Sequence, residues 1–232
     1  MKLLRSEFGH EYQKYRFGYC QHAQREPGDE LAALYEGGFL PYSGDPAVKD
    51  LFYMARSARI ALPEFSFTSE NRRIAKRFDG AFSYRLVPLA ERAAVSEIRA
   101  LFLEYFEKRH GKEVMPPVRL DAILEADLPL VFHAYYDGPR LKAAALEVRD
   151  SAFGHFWFSA YDLALARQSL GMWLMLDAAR RAKEAGLTYY YLGTVYGTKA
   201  LYKTNLEPLA FWDGSAWDAD TARLRGIART ES

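Results

Sequence analysis

Sulfur chemistry is almost absent: the 232 residues include a single cysteine, Cys20. A lone thiol excludes an internal disulfide framework and any all-cysteine metal site. Charge of one sign is also scarce, because 31 Lys and Arg face 30 Asp and Glu and leave a formal net charge of +1. A global positive field that would hold nucleic acid is therefore missing, and such binding has to come from a local patch. No hydrophobic run approaches the length of a membrane span, and the opening MKLLRSEFGHEYQKYRFGY is too polar for a signal peptide. The default expectation is a cytoplasmic protein with no membrane partner. There is no internal repeat and no low-complexity linker. Core material is abundant: 50% of the residues are hydrophobic and 15% aromatic, which suits one large domain or two small lobes.

Residues 1–28 mix tyrosines, charges and glycines without a clear period. From Asp29, ELAALYEGGF reads as a short helix with Leu31, Leu34 and Tyr35 inward and Gly37 and Gly38 as its stop. Residues 51–62 read as two short strands around a tight turn. Ser69 is the expected cap of a helix through NRRIAKRF, with Ile74 and Phe78 inward. A soft boundary near Tyr84 divides a small N-terminal lobe (1–84) from the remainder (85–232). Beyond it, LAERAAVSEIRALFLEYFEKRHG predicts a long amphipathic helix with Val95, Ile98, Phe102 and Tyr105 on one stripe. A shorter helix follows near 119–126. LVFHAYY, RLKAAALEV and FGHFWFSAY predict a three-stranded antiparallel meander with turns at Asp137-Gly138 and near Asp150-Ser151. Next come a helix (SLGMWLMLDAARRAKEAG), a buried strand (LTYYYLG), a helix or turn (GTKALYKTN) and a closing strand (LAFWDG). The expected class is α/β (α+β), a mixed sheet flanked by helices. A meander followed by strand–loop–helix–strand is the order used by N-acetyltransferase-like (GNAT) folds, and order alone does not show function.

Two stretches could meet phosphate. Gln168-Ser169-Leu170-Gly171 opens a predicted helix, where free amides favour an anion and Gly171 lets a ligand approach the backbone. The fragment partly echoes the Q/R-x-x-G-x-G/A loop that cradles coenzyme A, with Trp173 at the last small position. A plain strand–helix turn explains it equally well. The helix at 69–78 carries Arg72, Arg73, Lys76 and Arg77 against Glu70. Such a stripe suits tRNA phosphates or an acidic side chain, and a solvated face carries the same pattern. The five histidines show no metal-binding spacing. His133 reads as a core histidine, and His110, beside Arg109 at a helix end, is the one nearest a candidate site.

The stretch from Ser169 to Trp217 resembles the C-terminal signature of aminoacyl-tRNA–protein transferases, the arginyltransferases and bacterial leucyltransferases. The matching pieces are Ser169-Leu170-Gly171, Tyr190-Tyr191-Leu192-Gly193 and Leu201-Tyr202-Lys203, with Pro208 and Trp217 downstream. Earlier segments align in the same order: YRFGYC, YEGGFLPYSG, FTSENRRIAKRF and LFLEYFEKRHG. There are two departures. Leu40-Pro41-Tyr42 stands where the family has two arginines before the serine. The segment DPAVKDLFYMARSARI also lacks the family's further cysteines, so no metal is expected.

The resemblance implies a GNAT-like transferase with no cofactor and no DNA partner. The donor would be an aminoacyl-tRNA carrying arginine or leucine, and the acceptor the α-amine of a protein or peptide beginning with Asp or Glu. An α-ammonium titrates near roughly 8, so a minority is already nucleophilic at neutral pH. The ester is activated, and the enzyme mainly has to orient two reactants and hold a transient oxyanion. Tyr202 is the expected proton donor to the leaving ribose hydroxyl and Lys203 a partner for phosphate or carboxylate. Tyr191 is expected on the cleft side. Amides around Phe158–Ala160 and Tyr191–Gly193 are candidates for the oxyanion. Gln168, Ser169, Leu170 and Gly171 would face the donor; Arg72, Arg73, Lys76, Arg77 and His110 would meet the acceptor or tRNA. Two alternatives stay open: a coenzyme A-dependent N-acetyltransferase using acetyl-CoA, and a catalytically silent binder of acidic N-termini or tRNA ends.

Overall fold

The computed structural model describes the backbone of residues 1–11 and 16–231, and the side chains outside 6–19 and 166–168. Four strands, β1 (Lys2–Glu11), β2 (Arg16–Gln24), β3 (Phe39–Pro41) and β4 (Leu51–Met54), form a small antiparallel sheet ordered β1-β2-β4-β3. Eight more build the main sheet: β5 (Ser57–Ala61), β6 (Ser83–Pro88), β7 (Leu130–Asp137), β8 (Arg140–Arg149), β9 (Phe153–Tyr161), β10 (Tyr189–Thr194), β11 (Leu209–Trp212) and β12 (Trp217–Asp218). Their order is β12-β11-β5-β10-β9-β8-β7-β6. The strands expected in 51–62 are present, but they do not form a hairpin. β4 pairs with β2 and β3, whereas β5 enters the main sheet between β10 and β11. A boundary near Tyr84 therefore does not separate the sheets, because β5 precedes it and is central to the larger one.

Six helices pack on this frame: α1 (Leu31–Glu36), α2 (Ser69–Phe78), α3 (Arg92–His110), α4 (Pro117–Leu124), α5 (Leu170–Glu184) and α6 (Thr221–Thr230). The cap of α2 is Thr68, not Ser69: its hydroxyl accepts the Asn71 amide at 3.2 Å, and Ser69 is already the first helical residue. One 3-10 segment, Leu163–Gln168, joins β9 to α5, and a second, Thr198–Asn205, follows β10. Gly38 carries φ 78° and sits so close to Trp212 that an added Cβ would lie 2.3 Å from its ring, so glycine is required there.

Strand alternation sorts the core into two layers. Ala143, Ala145, Tyr135, Tyr190 and Leu192 face one side with α2, α5 and α6. Ala144, Leu146, Val148, Phe132, Ala134 and Tyr191 face the other with α1, α3 and α4. The three small residues Ala143, Ala144 and Ala145, all fully buried, let helices approach β8 from both faces. Among the described residues no helix is long and apolar enough to cross a membrane.

Candidate functional site

The one parallel pairing in the main sheet is short. β9 meets β10 only through Phe153, Gly154 and His155 against Tyr189, Tyr190 and Tyr191. From Phe156 onward β9 pairs with β8 alone, and the two strands part. Meanwhile a register shift between Tyr191 and Gly193 bends β10 against β5, with Gly193 at φ 76°, a conformation open to glycine. A cleft of about 430 Å³ opens in the fork. Its floor includes His155, Leu192 and Gly193, one wall carries Phe158 and Ser159, and α3 contributes Tyr105, Phe106 and His110. Tyr202 and Lys203 arrive from the 3-10 segment after β10, and Ser43 and Tyr53 from the small-sheet side.

Lys203 is half-buried, and its Nζ donates to the Thr194 carbonyl at 2.8 Å. A Cβ placed on Gly193 would lie 3.5 Å from that Nζ and 3.7 Å from His155 Nε2, so amine, imidazole and bulged backbone share one corner. Burial pushes the lysine down to about 8. His155 is buried, with Nδ1 2.9 Å from the Tyr35 hydroxyl, and burial followed by the Lys203 charge lowers it to about 3. It is therefore a neutral imidazole at physiological pH. Tyr202, 44% exposed, presents its ring at the mouth. His110 packs against Tyr105 and Phe106; burial and then Arg109 hold it below the ordinary histidine range.

Of the residues expected at a site from sequence, Tyr202, Lys203 and His110 meet in this cleft, as do Phe158 and Gly193 of the oxyanion candidates. Tyr191 does not. Strand alternation turns it away from Leu192 into the opposite core layer, where it is 2% exposed and its hydroxyl accepts from Arg59 Nη1 at 3.2 Å. Ala160 is likewise buried in that layer. Ser169 has φ 64° and begins α5 without a side-chain cap, Leu170 is fully buried, and Gly171 abuts the Tyr161 ring. None of these three lines the cleft, although Met175, one turn further along α5, does. The Gln168 side chain lies outside the described residues. Trp173 is core: it packs between Phe78, Phe82 and Tyr135, and its indole N–H donates to Asp79 at 3.1 Å.

The basic helix is elsewhere. α2 packs on α5, and Arg72 and Lys76 line a shallow surface groove with Arg180 and Lys183. Those last two belong to the C-terminal half of α5, whereas the cleft touches its N-terminal half. Arg73 is paired with Glu70, and Arg77 is exposed. Sequence reasoning passed over Arg119 and Tyr53, and ranked His155 below His110. Arg119 belongs to α4, whose sequence shows nothing beyond an ordinary amphipathic helix. Among the described residues, no three His, Cys, Asp or Glu side chains gather as a metal would need.

Comparison with known proteins bears on the family and the fold. Residues 66–204 match the model of an acetyltransferase (GNAT) domain, the segment that holds α2, the meander, the forked strands, Tyr202 and Lys203. An aspartate/glutamate leucyltransferase of Hyphomonas neptunium is 31% identical over 174 residues, covering 70% of this chain and 67% of that protein. The enzyme of the same name from Cereibacter sphaeroides is 32% identical over 177 residues, covering 70% and 61%. This chain thus spans between three-fifths and about two-thirds of those relatives' length. Among solved structures, L-PGS from Bacillus licheniformis superposes with a TM-score of 0.45 at 16% identity, over 70% of this chain and 49% of that one. With the fork, the family match and relatives above 30% identity in agreement, the chain belongs to the aspartate/glutamate leucyltransferase family, built on a GNAT domain.

Proposed function

We propose that this protein transfers leucine from the 3′ end of an aminoacyl-tRNA to the α-amine of a protein or peptide that begins with Asp or Glu. The observation that carries the reading is the fork between β9 and β10, where Lys203, Tyr202 and the Gly193 bulge face one cleft. The acceptor amine, once it has lost a proton, attacks the ester carbonyl. The C–N bond forms, and collapse of the tetrahedral oxyanion breaks the C–O bond to the ribose, whose oxygen must gain a proton.

Each requirement has a residue in reach. With its pKa near 8, Lys203 is mostly charged at pH 7 yet loses its proton easily. As the ammonium it can stabilise the oxyanion, whereas its neutral minority is the form able to take the proton that the acceptor releases. The Tyr202 hydroxyl at the mouth is the candidate donor to the leaving ribose oxygen. Gly193 and the Phe158–Ser159 backbone line the space where the oxyanion would form. Neutral His155 supports the corner through Tyr35 and adds no second charge beside Lys203. The groove of Arg72, Lys76, Arg180 and Lys183 is the region of local positive charge suited to tRNA phosphates.

The test is product mass. Peptides beginning with Asp, Glu or Ala are incubated with the protein and leucyl-tRNA, arginyl-tRNA or acetyl-coenzyme A. Addition of one leucine to the Asp and Glu peptides alone is the expected result. Acetylation, or no product with any donor, would defeat the proposal.

A further inference from the structure

Among the groups that line the cleft, Arg119 and Lys203 carry charges that the described residues leave without an anion, and Arg119 is the one on the α4 side. It is half-buried in α4, at the junction of the cleft with a neighbouring hollow of about 260 Å³. Its Nε donates to the Ser43 carbonyl at 2.6 Å, Nη2 to the Ser43 hydroxyl at 3.2 Å, and Nη1 to the Val114 carbonyl. Every one of these acceptors is neutral. Asp45, Asp50, Glu125 and Asp127 line the adjoining hollow, but all four are exposed and none forms an ion pair with Arg119 among the described residues. Burial pulls its pKa down, opposed by the Tyr42 and Tyr53 hydroxyls.

A guanidinium carries five N–H donors. Three are committed, and they hold the side chain rigidly against the Ser43 turn. Two remain, one on Nη1 and one on Nη2, and a carboxylate can accept from both terminal nitrogens of a guanidinium. A half-buried cation held in one geometry, with no anion beside it among the described residues, gains when an anion arrives.

We infer that Arg119 reads the acidic side chain of the acceptor, offering its free Nη1 and Nη2 hydrogens to the Asp or Glu carboxylate. This rests on the transfer reading above. The α-amine of the acceptor would then lie toward Lys203 and Gly193 in the same cleft, with its side chain toward α4. Arg119 is a specificity determinant, and it takes no part in the proton transfers.

The test compares kcat/KM for two peptides that differ only in their first residue, Asp or Asn, with leucyl-tRNA as donor. The proteins are the wild type, Arg119→Gln and Arg119→Lys. Because the Asp-over-Asn preference is a ratio, loosening of the Ser43 turn that slows both peptides leaves it unchanged. Loss of a two-point charge-assisted contact should cut the preference in Arg119→Gln by at least about tenfold. Arg119→Lys, which keeps the charge but not the fork, should fall between. Survival of the full preference in Arg119→Gln, or in Arg119→Lys if the first variant does not fold, overturns the inference and leaves transfer intact. A wild type that uses both peptides equally also overturns it. A wild type that transfers nothing from any donor defeats the underlying reading, and this inference with it.

Discussion

The α5 face of the main sheet and the cleft in its fork treat buried charge in opposite ways. Under α5, Glu147 and His133 are fully buried, yet no polar atom of either is idle. Glu147 accepts from Tyr190 at 2.7 Å and from Arg149 at 3.2 Å and lies 2.9 Å from His133 Nε2, whose Nδ1 meets the Tyr84 hydroxyl at 3.0 Å. Nearby, Asp177 accepts from Tyr135, Arg180 and Arg181, and the Arg181 guanidinium lies 3.4 Å above the Tyr84 ring. Burial alone would raise the Asp177 carboxyl; the two arginines hold it below the ordinary carboxylate range. In the cleft, by contrast, Lys203 and Arg119 point their charge at neutral carbonyls and a hydroxyl. A closed network fixes one packing of the sheet, and incomplete pairing marks where a substrate can complete it.

The largest effect should come from opening the closed network. Glu147→Ala leaves His133 and Tyr190 without their acceptor in a dry core, and half-buried Arg149 without its partner, at a cost of roughly 3–5 kcal/mol of stability. Urea unfolding checks this, and a loss under 1 kcal/mol would mean the network is far less tightly coupled than its geometry suggests. Lys203→Met is the counterpart in the cleft and should behave in the reverse manner. Activity should fall at least about a hundredfold, while stability at pH 7 holds or rises by up to about 3 kcal/mol. The sign follows from linkage. The lysine sits near 8 when folded against 10.5 otherwise, so between those values the unfolded chain binds more protons. Wild-type stability should thus gain from this group as pH rises from 8 to 10.5, and the variant should lose that slope. A methionine variant that is much less stable at pH 7 would show that the ammonium is structural.

How much of this contrast was legible in the sequence depended on what each feature requires. The meander, α3, α5 and the strand before Gly193 announced themselves by period and by turn residues. Residues 1–28, β6 and α6 did not: β1 and β2 pair with each other without an alternating apolar pattern, and β6 shows only Val87 as a buried residue. Tyr191 shows the limit most clearly. Period 2 says that Tyr190 and Leu192 share a face and Tyr191 takes the other, but which face meets the cleft is fixed by the helices that cover the sheet. Arg119 was harder still, since its role depends on contact with Ser43, 76 residues away. Leu40-Pro41-Tyr42 stands where the family resemblance places two arginines, and the guanidinium beside Ser43 arrives from α4 instead. No local pattern encodes such a substitution in space.

Tyr202→Phe separates chemistry from packing at the mouth of the cleft. A ring that is 44% exposed gives up little when it loses its hydroxyl, so stability should change by no more than about 0.5 kcal/mol. If the hydroxyl protonates the leaving ribose oxygen, kcat should fall roughly tenfold to a hundredfold with KM for the peptide unchanged. An unaltered kcat in single-turnover measurements would pass that role to Lys203 or to water.

The smallest effect belongs to the surface groove on α2. Arg72 and Lys76 are exposed, and neither forms an ion pair among the described residues; Arg72 donates to the Phe67 carbonyl at 2.6 Å. Their stability cost is therefore negligible, and any function must show in binding. If the groove holds tRNA phosphates, replacing both with glutamine should raise KM for leucyl-tRNA a few-fold and leave kcat untouched. It should also reduce the slope of log affinity against log salt by roughly 1–2, one increment for each lost phosphate contact. The salt slope decides the matter better than the affinity itself. A solvated basic face adds nothing to it, and a tRNA held elsewhere would keep the wild-type slope. In that case the charge of α2 serves solubility, and the polynucleotide has to be sought on another surface.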